Sequence, residues 1–182
     1  FDIKAKIKSI SDSIGAIQNT LLLDDHLSFD DAPVAINQIH FESVSFSDPI
    51  WVLFSSGTTG KPKAIVHGTG HMLLEHLKAL ALHQDVRVGE RYFWYSTTGW
   101  MMWNYALGSL LCGATLCLYS GAPTFPPADR LWQFAHKANI NHFGGGAVYY
   151  QQQVASPSPF ITQTDFYFLK TIGSTGSPMS AA

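Results

Sequence analysis

Phe54-Ser55-Ser56-Gly57-Thr58-Thr59-Gly60-Lys61-Pro62-Lys63 decides how this chain is read. Two glycines, four hydroxyl side chains and two lysines fall within ten residues, directly after the apolar run 50–53. Glycine lets a backbone turn through positive φ and come close to a ligand. Consecutive amide N–H groups in such a loop turn inward around an anion, and hydroxyl and ammonium groups add donors and charge. The chemistry predicted is a loop for the phosphates of a nucleotide. A ligand-free Gly/Thr hairpin is the bland alternative, and the hydroxyl pairs and lysines argue against it.

The spacing sets this loop apart from the phosphate loop that opens a helix. That loop places four residues between its first glycine and a Gly-Lys pair, with Ser or Thr next. Here only Thr58 and Thr59 separate Gly57 from Gly60, and Lys61 runs into Pro62. The run Ala64-Ile65-Val66 that follows is β-type, so residues 50–54 and 64–67 are predicted to flank the loop as two strands of a hairpin.

Downstream, residues 70–84 read as a helix with Leu73, Leu74, Leu77, Leu80 and Ala81 on one side. A strand is predicted over 91–95, an apolar helix over 101–112 stopped by Gly113, and a strand over 114–119. After a loop at 120–127 with three prolines come a helix over 128–137, a strand over 140–143, a helix over 147–154 and a strand over 169–172. Strands alternating with helices from residue 91 onward predict an α/β fold, a mainly parallel sheet with flanking helices. Ligands of such sheets bind beyond the carboxyl ends of the strands. Ser96-Thr97-Thr98-Gly99 and Gly173-Ser174-Thr175-Gly176 both fall there.

Upstream, Ile3, Ile7, Ile10, Ile14 and Ile17 make a helical stripe across residues 1–20, with Lys4, Lys6 and Lys8 mostly off it as a solvated face. Residues 21–23 read as a short buried strand. Residues 24–48 are polar, contain Pro33, and read as a connection with one short helix. The expected organisation is an N-terminal segment over 1–47 followed by a nucleotide-binding domain, incomplete at its C-terminal end, over 48–182.

Bulk properties narrow the function classes. The 182 residues suffice for one domain with a sizeable core. Hydrophobic residues make up 46% and charged ones 13%, and the formal net charge of −2 gives no electrostatic reason to expect nucleic acid or an anionic membrane. Cys112 and Cys117 are too few for a disulfide framework and read as buried free thiols, which fits a reducing cytosol and a cytoplasmic location. His67, His71 and Glu75 are spaced by four, but Gly68 and Gly70 oppose a helix through His67, so no metal ligands are assigned. No Gly-x-Ser-x-Gly elbow supports a serine hydrolase.

Two further stretches carry chemistry. In Thr98-Gly99-Trp100-Met101-Met102, Gly99 permits a tight turn, Trp100 gives a rigid apolar wall and the methionines an adaptable lining. On periodicity alone these read first as core side chains at a helix N-terminus. Gly173-Ser174-Thr175-Gly176-Ser177-Pro178 is the other, with a plain Gly/Ser turn as its alternative.

Ser-Ser-Gly-Thr-Thr-Gly-x-Pro-Lys resembles the phosphate-binding signature of the adenylate-forming enzymes, which include the acyl-CoA synthetases. Asp48-Pro49-Ile50-Trp51-Val52-Leu53, Ala64-Ile65-Val66-His67 and Thr97-Thr98-Gly99-Trp100-Met101-Met102-Trp103-Asn104 resemble the acetoacetate-activating branch. The resemblance is close over residues 41–119 and looser to 182. It implies a ligase that uses ATP, Mg²⁺ and coenzyme A, with acetoacetate as the acid. It also implies cofactor contacts from Ser55, Ser56, Gly57, Thr58, Thr59, Gly60 and Lys63, with Lys63 rather than Lys61 as the fixed lysine. By position, Trp100, Met101, Met102 and Thr175 would border the acyl group, and Gly176, Ser177 and Pro178 the adenine. Ser177 stands where the acetate-activating branch carries Glu. Acetate or propionate as the acid, or a non-catalytic nucleotide-binding remnant, remain the alternatives. The family's later Tyr-x-x-Thr-Glu motif, ribose-binding Asp and C-terminal lysine have no counterpart in these residues. The expectation is therefore a piece of a longer protein, inactive alone and with no catalytic residue assigned.

Overall fold

The computed structural model describes residues 4–20, 39–55 and 60–178. The chain divides into two compact units, residues 1–42 and 43–182. In the first, α1 (Lys4–Ser13) buries none of its residues and carries an exposed Lys8–Asp12 pair at 3.0 Å, worth a few tenths of a kcal/mol. The stripe predicted across 1–20 is thus cut short. Ser13 Oγ donates to the Ile10 carbonyl at 2.8 Å and Ser11 Oγ pairs with Thr20 Oγ1 at 2.9 Å. Such bonds give the backbone an alternative to the helix. Ile14 and Ile17 fall beyond the helix and are exposed. The strand expected over 21–23 lies outside the described residues. Of the connection after it, residues 39–48 contain a turn and no helix.

The second unit opens with the hairpin. β1 (Pro49–Ser55) and β2 (Lys63–Gly68) pair antiparallel, with Trp51 opposite His67 and Ser55 opposite Lys63. α2 (Thr69–Leu77) follows at once and runs on as a π-helical turn to His83. Then come β3 (Arg91–Trp94), α3 (Met101–Leu107) continued by a 3-10 turn to Cys112, and β4 (Thr115–Leu116). α4 (Arg130–Ala138), β5 (His142–Gly146), α5 (Ala147–Ala155), α6 (Pro159–Gln163) and β6 (Thr171–Thr175) complete it.

The four-stranded sheet has the order β4-β3-β5-β6 and every pair is parallel, as the alternation of strands and helices requires. Side chains alternate across it. Tyr92 and Trp94 face a cluster with Leu80, Val86, Met102, Ala106 and Ala114, under α2 and α3. Phe93 and Phe143 face the other way, among Leu131, Trp132, Ala135, Tyr149 and Tyr150 of α4 and α5. Trp132 stacks on Phe143 at 4.7 Å. Each such large side chain, removed from water, contributes about 1.5–3 kcal/mol.

Three local expectations change. The buried side of α2 is Met72 and His76, with Leu80 in the π turn, whereas Leu74 and Leu77 are exposed. The cause is the 3-10 segment after α3, where the His76 ring packs directly against Gly108. β4 is only two residues long. Thr115 N and Cys117 N donate to the carbonyls of Glu90, just before β3, and of Tyr92 within it, and beyond them Leu118 is exposed. α6 was not expected from periodicity; Pro159 at its first turn and the Ser158 hydroxyl, accepting from Ile161 N, start it.

A charged network ties the amino ends of the strands together. His142, the first residue of β5, is 1% exposed, and its Nε2 is bonded to the Glu90 carboxylate at 2.7 Å while Nδ1 pairs with the Thr171 hydroxyl at 2.8 Å. Arg87 N at 2.9 Å and the Lys170 ammonium complete the shell around the same carboxylate. Burial pushes the Glu90 carboxyl up, but the bonds from His142, Lys170 and Arg87 N–H outweigh it and hold it at about 2 against an ordinary 4.5. A depressed carboxyl contributes stability that is fully present above the unfolded value and drains as pH falls through the folded one. Unfolding free energy, followed by chemical denaturation across pH, is expected to fall between about 4.5 and about 2. Glu90→Gln is expected to cost about 1–3 kcal/mol at pH 7 and to flatten that acid limb.

Candidate active site

Trp94 of β3, Gly144 of β5 and Gly173 of β6 lie abreast in the parallel register, as do Gly146 and Thr175 further along. The segments leaving these strands therefore share one edge of the sheet. From β3 come Ser96, Thr97, Thr98 and Gly99, with Trp100 as the N-cap of α3. From β5 the chain enters α5 directly, with Gly146 as its N-cap. Neither N-cap residue makes a side-chain cap hydrogen bond. From β6 come Gly176, with φ of 96°, then Ser177 and Pro178. A cleft of about 450 Å³ opens at the ends of β3 and β4, lined by Trp94, Ser96, Thr98, Trp103 and Tyr119 among others.

The residues singled out in the sequence are distributed unevenly over this edge. Successive residues on a helix point about 100° apart, so Trp100, Met101 and Met102 cannot all face one space. Met102 is buried in the cluster with Trp94. Met101 is 49% exposed and lines a different cavity, and Trp100 is 38% exposed. Thr175 ends β6 beside Gly146, and Gly176, Ser177 and Pro178 follow it at the same edge. In the hairpin, Ser55 Oγ donates to the Lys63 carbonyl at 3.5 Å, and Gly60, Lys61 and Lys63 are exposed. Ser56, Gly57, Thr58 and Thr59 lie outside the described residues.

A cavity of about 830 Å³ joins the hairpin to the helices, lined by Trp51, Leu53, His67, Leu74, Met101 and Tyr105 among others. Burial lowers the His76 imidazole at its base, against an opposing effect of Glu75. Burial pushes the Tyr105 hydroxyl up to about 12 and the Tyr149 and Tyr150 hydroxyls higher still, so near neutral pH these remain protonated donors. Both thiols are raised by burial, which makes them poor nucleophiles. The hydroxyl–imidazole–carboxylate set formed by Thr171, His142 and Glu90 lies at the opposite, amino edge of the sheet, with the imidazole buried.

Among the described residues no group of three His, Cys, Asp or Glu is placed to hold a metal ion. The hydroxyl, ammonium and backbone donors of the loop and strand ends suit phosphate oxygens. A Mg²⁺ would then enter on the phosphates, its usual mode, rather than in a cage of side chains. No described helix is long and apolar enough to cross a membrane. Trp94, Trp103 and Tyr119 had no role in the sequence reading. Their signal was position, since each sits at or just after the carboxyl end of a predicted strand or in the helix that follows.

Residues 3–182 match the family model described as "AMP-binding enzyme". The chain is similar to acetoacetyl-CoA synthetase of Mus musculus, at 38% identity over 92% of this chain and 25% of that protein. It is similar to the acetoacetyl-coenzyme A synthetase of Rhizobium meliloti at 36% identity, over 98% of this chain and 30% of that one. The solved structure of acetoacetyl-CoA synthetase from Streptomyces lividans superposes with a TM-score of 0.71 at 45% identity, covering 76% of this chain and 22% of that one. The chain thus spans about a quarter of the length of the relatives it matches.

The different placement of the two methionines has a measurable consequence. Met102→Ala is expected to cost about 2–4 kcal/mol in denaturant unfolding, the range for emptying a packed site. Met101→Ala, at an exposed position, is expected to stay within about 0.5 kcal/mol of the parent.

Proposed function

The chain belongs to the AMP-binding enzyme family, and on that premise we propose that it forms the phosphate- and acyl-binding part of an acetoacetate–CoA ligase. A carboxylate is a poor acylating agent because its leaving group would be oxide. In the proposed reaction an acetoacetate oxygen attacks the α-phosphorus of ATP, the bond to the β-phosphate oxygen breaks, and acetoacetyl-adenylate and pyrophosphate result. The thiolate of coenzyme A then attacks the acyl carbon and displaces AMP, leaving the thioester. Negative charge develops on the phosphates in the first step, so fixed cationic and N–H donors around them lower its barrier. Mg²⁺ supplies charge neutralisation on the same oxygens when it is bound.

Within this reading, Ser55, Gly60 and Lys63, with the intervening Ser56, Gly57, Thr58 and Thr59, hold the β- and γ-phosphates. Gly176, Ser177 and Pro178 border the adenine. Thr175 borders the acyl group with Met102 beneath and Trp100 at the helix N-cap, whereas Met101, which lines the separate cavity on the hairpin side, is left out of that set. The observation that carries the proposal is the convergence of two separate signature stretches. Residues 97–102, which follow β3, and 173–178, which end and follow β6, are more than seventy positions apart, yet the parallel strands flanking β5 bring them to one edge of the sheet, where such folds bind ligands. The similarity to acetoacetyl-CoA synthetases supports acetoacetate as the acid.

Acid-dependent ATP–pyrophosphate exchange on the full-length gene product tests this. Exchange driven by acetoacetate at least tenfold better than by acetate in kcat/KM is expected, a discrimination of the size that small acyl differences allow. Better exchange with acetate or propionate would move the substrate, and no exchange with any short acid would overturn the ligase reading.

A further inference from the structure

Trp94 of β3 reaches over both β5 and β6 at the edge just described. It lies on the same face of the sheet as Gly144 and Gly173, and its indole covers both. A Cβ on Gly144 would overlap the ring at Cδ2 and Cε3, and one on Gly173 would meet Cζ3 and Cη2. The six-membered ring thus crosses β5 to reach β6. Gly173 is two residues before Thr175, so by the alternation of the strand both lie on that face, one step apart. From the other side, the indole packs in one cluster with Met102 and Ala106 and meets the Tyr105 ring edge-on at 6.0 Å. The same residue lines the cleft beside Ser96 and Thr98. Trp94 is 8% exposed, so its neighbours hold it firmly.

We propose that Trp94 is a specificity-determining residue that forms the floor of the acyl site, an assignment that rests on the acid-activating function above. Of the residues that border the acyl group in that reading, Met102 packs in one cluster with the indole, and Thr175 stands two residues along β6 from Gly173, which the ring covers. The ring is rigid and wide, and the absence of side chains at positions 144 and 173 lets it lie low on the sheet. Its height above the sheet then sets how long an acyl chain fits. A smaller side chain at position 94 opens space over the two glycines in line with the acyl chain.

The test compares acetoacetate with 3-oxohexanoate in ATP–pyrophosphate exchange, using the full-length gene product as wild type, Trp94→Phe and Trp94→Leu. Melting curves identify which variants fold. The kcat/KM ratio of 3-oxohexanoate to acetoacetate is expected to rise about tenfold in Trp94→Phe and further in Trp94→Leu, chiefly through KM for the longer acid. A role in stability alone would lower the melting temperature and leave the ratio unchanged. A folded variant with an unchanged ratio overturns the assignment while the wild-type enzyme still activates acetoacetate. Failure of the wild type with every acid overturns the underlying function itself.

Discussion

The close seating of one tryptophan on two glycines holds the middle of this sheet. Trp94 spans from β3 over Gly144 to Gly173, and a single methyl group at either glycine would lift it. Protein interiors are packed densely enough that such a displacement propagates. Met102, Ala106 and Ala114 fit against the indole where it now lies, and α3 and the turn to β4 take their position from that contact. On the opposite face the Tyr150 hydroxyl bridges β5 and β6 by donating to the Phe143 and Gly173 carbonyls. There Phe93 and Phe143 pack conventionally against Trp132, Tyr149 and Tyr150.

The two ends of the parallel strands have separate tasks. At the amino ends, Glu90, His142, Thr171 and Lys170 form a closed set of hydrogen bonds in which the buried imidazole has partners at both nitrogens. Buried polar groups that are fully satisfied rigidify a structure, and one left unpaired is costly. At the carboxyl ends the backbone is left available. Two helices begin there without side-chain caps, and hydroxyl-rich segments leave β3 and β6. In the proposed function the fixed amino end supports the sheet while the segments at the carboxyl end present donors to the ligand.

Much of this was readable in the sequence because it depends on local pattern. The hairpin around residues 55–63, the helix over residues 101–112 with its stop at Gly113 and the alternation that makes the sheet parallel all follow from neighbours within a few positions. What escaped depends on contacts between distant residues. Leu74 and Leu77 look like core until His76 is found against Gly108, thirty-two positions away. Glu90 looks like an ordinary turn carboxylate until it meets His142, 52 positions on. Gly144 and Gly173 looked like loop and turn residues, and their purpose appears only when Trp94 is seen lying over both. The cluster Trp100-Met101-Met102 was legible as a stretch, but the helix turns its three side chains toward different surroundings.

The central claim is that one ligand spans the hairpin loop and the carboxyl edge of the sheet. Hydrogen exchange of the full-length gene product, with and without a non-hydrolysable acetoacetyl-adenylate analogue, addresses it directly. Slower exchange in peptides covering residues 55–63, 96–103 and 173–178 together is the result predicted. Protection confined to the hairpin, or appearing instead around Glu90 and His142 at the amino edge, would contradict the account.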